Sequence, residues 1–182
     1  MGIFKKKRDL QQIAYELAKS LKTQRIKWFK ACLEIISKMD KEMDEYQEAV
    51  LTGEVDLIIK SFQVVHVLAF ISMQKYLSEK KVGDFTQKLC SNIFGTDLED
   101  AFPFIERYEK LKVKMQGDKF NDQFHIFSED VALSIMGSSK GMVFSAGLDS
   151  IVFDFYLRNL KLAAISFGDI ETAEKIWQPK EG

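Results

Sequence analysis

Residues 10–50 read LQQIAYELAKSLKTQRIKWFKACLEIISKMDKEMDEYQEAV, a stretch that contains neither glycine nor proline. Apolar residues recur along it mostly at steps of three and four, which is the spacing of one helix face rather than of a strand. The pattern therefore predicts a long amphipathic helix. The apolar positions are Leu10, Ile13, Leu17, Leu21, Trp28, Cys32, Ile35, Met39, Met43, Tyr46 and Val50.

The predicted helix spans about residues 9–51 and would be roughly 60 Å long at about 1.5 Å per residue. A helix of that length in a small domain is typical of a spine or of a partner-binding surface. Gln24 and Arg25 interrupt the apolar stripe. A bend or break near residues 20–23 is therefore left open.

The composition is that of an ordinary globular protein, with 46% apolar and 29% charged residues in a chain of 182. This length suits one well-packed core better than two. We expect a single helical domain at residues 9–179, preceded by a flexible basic N-terminus at residues 1–8. The chain has only 2 prolines and 10 glycines, and this small number of helix-breaking residues favours long helices. Its 15 phenylalanines predict an aromatic core.

Glycines and capping residues divide the rest of the chain into further helices. The sequence predicts an all-α fold: a single compact helical bundle of about seven helices, with the long N-terminal helix on its flank. Residues 137–141 are predicted to form a flexible loop. The further helices are expected at about residues 54–81, 85–94, 103–117, 128–137, 142–167 (or from 148) and 169–177.

The most apolar window of the chain is residues 57–73, which contains Lys60, Gln63 and His66. A membrane span needs about 20 residues with few polar side chains. We therefore predict a buried core helix at the centre of the bundle and no transmembrane segment.

The two cysteines, Cys32 and Cys90, both fall on apolar faces of predicted helices. No Cys-x-x-Cys pair is present, so a zinc site or a redox motif is not indicated. We expect both thiols to be reduced core residues in an intracellular, cytoplasmic protein.

Charge is distributed unevenly along the predicted first helix. Residues 1–30 carry nine Lys and Arg against two acids, whereas residues 31–56 carry two against eight. This polarity opposes the helix dipole, which suggests a contact surface, although a solvated charged face also explains it. The residues assigned to partner binding are Lys5, Lys6, Lys7, Arg8, Lys19, Lys22 and Lys30.

No group of residues in the sequence indicates catalysis, and we assign no catalytic, cofactor-binding or metal-binding residue. His66 and His125 lack the companions that a metal site needs, and no Gly-x-Ser-x-Gly elbow is present. Residues 137–141 lack the spacing of a phosphate-binding loop, so they are interpreted as a hinge between helices.

The leading functional hypothesis is a non-enzymatic interaction or regulatory protein that binds another protein through a helix face. The first alternative is a nucleic-acid-associated protein that uses the basic residues between Lys5 and Lys30. The second is an enzyme with an unrecognised site near His125 and residues 137–141. Salt dependence separates the first two, because phosphate contacts weaken steeply with salt.

Overall fold

The computed structural model describes residues 9–39, 51–114 and 122–176 of the chain, and the side chains of all of these except 39, 113, 114 and 138–143. This part of the chain is helical and contains no strand, so the all-α prediction is confirmed. A 3₁₀ turn at Gly95–Asp97 joins two of the helices. The helices are α1 (Leu10–Met39), α2 (Gly53–Met73), α3 (Glu79–Phe94), α4 (Leu98–Lys114), α5 (Asp122–Met136), α6 (Ser138–Ser166) and α7 (Ile170–Ile176).

Helix α2 lies at the centre and packs against α3, α4, α5 and α6. Its buried side chains include the polar Lys60, Gln63 and His66. By length and composition alone, α2 is also apolar enough to cross a membrane, and 72% of its apolar window is buried inside the fold. The central position predicted for this helix is confirmed.

The apolar core consists of two clusters. One is rich in aromatic rings: Phe62 stacks on Phe127 with their centroids 3.9 Å apart, and Trp28 stacks on Phe127 and on Phe155. The other is mainly aliphatic and surrounds Leu17. Helices α1, α2, α4 and α6 contribute to both clusters, so these helices hold the two halves of the bundle together.

A buried polar layer lies between the two clusters. Gln63 of α2 donates hydrogen bonds to the backbone oxygen of Leu21 at 3.1 Å and to Oδ1 of Asn159 at 2.9 Å. Arg25 donates from Nη1 to Oε1 of Gln63 at 3.2 Å. Arg25 thus occupies a core position, and it interrupts the apolar stripe for that reason. Helix α1 runs through residues 20–23 unbroken, so the break considered there is absent.

Two predicted boundaries around α2 are wrong. The helix ends at Met73 rather than near Lys81, and α3 begins at Glu79 rather than near residue 85. The stop is a Schellman motif, in which Lys75 and Tyr76 donate their N–H groups to Ser72 and Ile71. The left-handed position, φ +53°, is held by Lys75. A glycine at this position would have predicted the end of the helix from the sequence, whereas a lysine does not.

The loop predicted at residues 137–141 is also wrong. Helix α6 already begins at Ser138, and only Gly137, with φ +76°, separates it from α5. Helix α5 begins at Asp122, so Ser128 lies buried within the helix instead of starting it. The predicted continuation of α1 over residues 40–51, the basic N-terminus and Trp177 lie outside the described residues, apart from Leu51.

Candidate functional site

A groove of about 830 Å³ runs along the outer side of α1. Its other wall comes from the start of α2, with Asp56 and Lys60, and from the end of α3, with Asn92 and Ile93. Helix α1 packs along α6 with its core face and beside α3. The groove therefore runs between a partly exposed side of α1 and the adjoining ends of α2 and α3.

The α1 wall of the groove is a second stripe beside the core stripe, and its inner members Phe29 and Leu33 also belong to the buried core cluster. Its members follow one another at alternating steps of four and three residues, the spacing of a coiled-coil seam. Exposure falls along it, from Tyr15 at 54% and Ile26 at 40% to Phe29 at 3%. The stripe, which lines the groove throughout, is Tyr15, Lys19, Lys22, Ile26, Phe29 and Leu33.

Three of the residues assigned to partner binding line this groove. Lys19, Lys22 and Lys30 are all exposed, as their position opposite the core stripe predicted. Within the described parts of the chain, none of these three ammonium groups forms an ion pair with a carboxylate. The other four assigned residues, Lys5, Lys6, Lys7 and Arg8, lie outside the described residues. The groove therefore has an apolar floor and a cationic rim.

A buried ionic cluster forms the inner wall of the groove. Asp56 is shared by two cations: its Oδ1 lies 2.9 Å from Nε of Arg25, and its Oδ2 lies 2.7 Å from Nζ of Lys60. Asp97 lies farther from Lys60, at 3.8 Å. Burial lowers the pKa of the Arg25 guanidinium, and the attraction of Asp56 opposes that shift. The cluster presents two desolvated cations on one shared carboxylate, with Asp97 at its edge.

Sequence reasoning missed this cluster and the apolar floor. Asp56 and Lys60 stand four residues apart, which is the spacing of a helical ion pair, but nothing local shows that Arg25 reaches them. The second stripe was missed because two of its six positions are lysines. Only the three-dimensional placement brings Tyr15 and Ile26 beside these charges.

The two histidines occupy opposite environments. His66 is buried, with Nδ1 at 2.8 Å from the backbone oxygen of Phe62 and Nε2 at 2.9 Å from the side-chain amide of Gln123. Burial lowers the pKa of His66. Both partner atoms are oxygens, the backbone oxygen of Phe62 and Oε1 of Gln123, and a neutral ring has a single N–H, so it donates to one of them.

His125 lies on the surface and pairs with Asp149 through Nδ1 at 2.9 Å. The hydrogen bond to Asp149 raises the pKa of His125, against a smaller opposing effect of desolvation. The loop expected near it belongs to helix α6. Across residues 9–39, 51–114 and 122–176, no group of three or more His, Cys, Asp or Glu side chains is placed to hold a metal ion.

Both cysteines are free thiols. Cys32 is fully buried in the aromatic cluster, and Cys90 is partly buried beside the aliphatic one. Burial raises the pKa of each thiol, and it does so more strongly at Cys32. Raised pKa values keep these side chains protonated near neutral pH, so they act as packing residues.

No protein-family model matches this sequence, and no curated protein or solved structure is significantly similar to it.

Proposed function

We propose that this chain is a protein-binding module that receives a segment of another protein in the groove along α1. The observation that carries the proposal is the stripe from Tyr15 to Leu33, which has the spacing of a helix-packing seam and lines a groove. Tyr15 and Ile26 are exposed in it, whereas Phe29 and Leu33 belong to the buried core cluster at its inner end. Helix-in-groove binding is a common mode of peptide recognition by helical domains.

The exposure of large apolar side chains supports the proposal. Tyr15 and Ile26 are among the few large apolar residues exposed in the described part of the chain, and both lie in this groove. Buried Phe29 and Leu33 continue the same surface inward. A surface of apolar centre and charged rim has the anatomy of a protein interface.

A nucleic-acid function is the alternative, and the row formed by Lys19, Lys22 and Lys30, which have no ion-pair partner among the described residues, favours it. Lysines along one helix face can follow a phosphate backbone. Nucleic-acid binding and protein binding differ in whether the apolar floor of the groove is contacted. Phosphate contacts leave the exposed side chains of Tyr15 and Ile26 in water, whereas a protein segment buries them.

A photo-reactive amino acid placed in the groove tests the proposal. Benzoylphenylalanine is introduced at Tyr15 or Ile26 in the host cell, with Phe153 and Ile165 as exposed apolar controls on α6. We expect a discrete protein crosslink at the groove positions and none at the controls. The crosslink should disappear when Lys19, Lys22 and Lys30 are all replaced by Glu.

Two results would contradict the proposal. A crosslink to nucleic acid that is lost steeply with added salt would support the alternative function. Irradiation that yields no adduct at Tyr15 or Ile26, in protein that melts like the wild type, would leave the groove without a partner.

A further inference from the structure

The shape and charge of the groove indicate which kind of protein segment it binds. Resting on the proposed function, we infer that the partner segment is an acidic amphipathic helix of about 18 residues. Its apolar seam packs on the exposed Tyr15 and Ile26, and its carboxylates pair with Lys19, Lys22 and Lys30. One carboxylate reaches the inner cluster at Arg25 and Lys60.

The helical form follows from the spacing of the stripe. Alternating steps of three and four residues place side chains in register with the ridges of a second helix that crosses at a shallow angle. The stripe from Tyr15 to Leu33 extends about 27 Å at about 1.5 Å per residue. A helix of about 18 residues covers that length, whereas an extended segment would need only about eight.

The acidic character follows from charge complementarity. Five cationic side chains line the groove, whereas Asp56 is its only carboxylate among the described lining residues. Three of the cations, on the rim, have no carboxylate partner in that part of the chain. Glu residues on both flanks of an incoming helix would neutralise these charges, and opposite charges would also speed its association.

The α1 seam of a second copy of this chain does not fit the same surface. In a parallel pairing of two α1 seams, Lys19 would face Lys19 of the second copy, and Lys22 would face Lys22. Like charges opposite one another are destabilising. In an antiparallel pairing, Lys19 would face Phe29 and Lys22 would face Ile26. Those contacts desolvate an ammonium group without compensation. Two α1 seams therefore do not pair with each other in this groove.

The inner cluster provides a site for one specific carboxylate. Arg25 and Lys60 are 5% and 7% exposed, yet both line the groove. A guanidinium has five N–H donors, and Asp56 and Gln63 face its Nε and Nη1. Donors thus remain for a carboxylate from the partner. Water-excluded charge pairs of this kind confer specificity more than exposed ones do.

The test is a selection from a displayed library of 18-residue helices on the purified full-length protein. Seam positions vary among Leu, Ile, Phe and Ala, and flanking positions vary among Glu, Gln, Lys and Ala. We expect enrichment of apolar seams with Glu on the flanks. Binding of the best peptide should weaken at least about tenfold when Lys19, Lys22 and Lys30 become Glu, as three exposed pairs of about 0.5 kcal/mol would give.

A matched variant controls for net charge. Lys27, Lys38 and Lys80 are exposed and do not line the groove, so their triple Glu substitution makes the same charge change elsewhere. Affinity in this control should change by less than about threefold, since distant charges are screened. An equal loss in both variants would show nonspecific attraction and overturn the inference.

Lys60→Met tests the inner site while leaving the Arg25–Asp56 ion pair in place. Each Glu of the selected peptide is changed to Gln and measured against both proteins. At one Glu of the peptide, the change to Gln should weaken binding to the wild-type protein but not to the Lys60→Met variant. If every Glu→Gln effect is the same in both proteins, no carboxylate reaches the inner cluster, and that part of the inference is wrong. Melting curves verify that Lys60→Met is folded.

The inference and the proposed function can fail separately. Selected peptides that are basic or indifferent to charge would overturn the acidic helix while leaving a protein-binding groove. The same holds if no helix is selected but Ile26 still crosslinks to a protein in cells. If neither the selection nor the crosslinking gives a partner at the groove, both proposals are wrong.

Discussion

Gln63 and Asn159 join α2 to α6 by a hydrogen bond of 2.9 Å in the middle of the core. The same Gln63 side chain also binds Arg25 and the backbone of Leu21 on α1. One amide therefore connects three helices at the level where the two apolar clusters meet. It also holds the guanidinium that lines the groove.

Replacing Gln63 with Leu should destabilise the fold strongly. Each buried group left without its partner costs about 1–3 kcal/mol, and the substitution removes the donor to Oδ1 of Asn159 and the acceptor of Nη1 of Arg25. Gln87→Leu on the exposed face of α3 is the control and should change stability by less than about 0.5 kcal/mol. Urea unfolding measures both, and similar midpoints would show that the polar layer contributes little.

Phe62→Ala should be among the costliest substitutions in the chain. The ring is fully buried and stacks on Phe127, and truncations of this kind cost about 3–5 kcal/mol. Leu68→Ala on the same helix should cost less, because Leu68 is only partly buried. A larger effect at Leu68 than at Phe62 would contradict the burial pattern of α2.

Two glycine substitutions should act in opposite directions. Gly137 has φ +76° and ψ 173°, a conformation open essentially only to glycine, so Gly137→Ala should destabilise by about 1–3 kcal/mol. Gly83 lies within α3 and has open space where a methyl group would be added, so Gly83→Ala should stabilise by about 0.5–1 kcal/mol. Thermal melts measure the change in stability of each variant. Stability changes of the same sign in Gly137→Ala and Gly83→Ala would be inconsistent with the separation of α5 and α6 at Gly137.

His66 should make the fold less stable in mild acid. Burial lowers its pKa below 6.5, so the unfolded chain takes up this proton first and stability falls as the pH falls below 6.5. His125 has a raised pKa and therefore acts oppositely, losing its contribution as the pH rises through that value.

The variant His125→Gln isolates the effect of His66. Its urea midpoint should decline between about pH 7 and pH 5, and the ring protons of His66 should titrate only below the pH at which a free imidazole does. A His66 resonance that titrates at or above 6.5 would show that the ring is more solvated than its buried position implies.

The triple Glu substitution at Lys19, Lys22 and Lys30 should leave stability nearly unchanged. These side chains are exposed and form no ion pair within the described residues, and such surface changes usually stay within about 0.5 kcal/mol each. A melt that matches the wild type validates the variant for the binding tests. Loss of the folded state would mean that the groove rim is part of the core.

The sequence predicted the helices best where apolar spacing sets their burial. In α1 the core stripe has the expected face, because Leu17, Leu21 and Trp28 pack inward. Boundaries failed where the stop signal was unusual, as at Lys75 in its left-handed conformation. They also failed where glycines lay inside helices, as in the first turn of α6.

The candidate site was predictable only in part. Exposure of Lys19, Lys22 and Lys30 followed from their angle to the core stripe. The inner cluster did not, because Arg25 and Asp56 are 31 positions apart and meet only through the packing of α1 on α2. A buried arginine in an amphipathic stripe is the one local sign that a partner acid exists elsewhere.

The indole nitrogen of Trp28 donates to the backbone oxygen of Ile151, a residue 123 positions later in the chain. During synthesis the ribosome must add those residues before this contact can form, which takes on the order of ten seconds. Until then the part of the core face of α1 that packs on α6 has no partner, although α2 and α3 are already made. The nascent chain thus displays part of an apolar helix face to chaperones, and substitutions that slow elongation after Trp28 should lower yield without altering the finished protein.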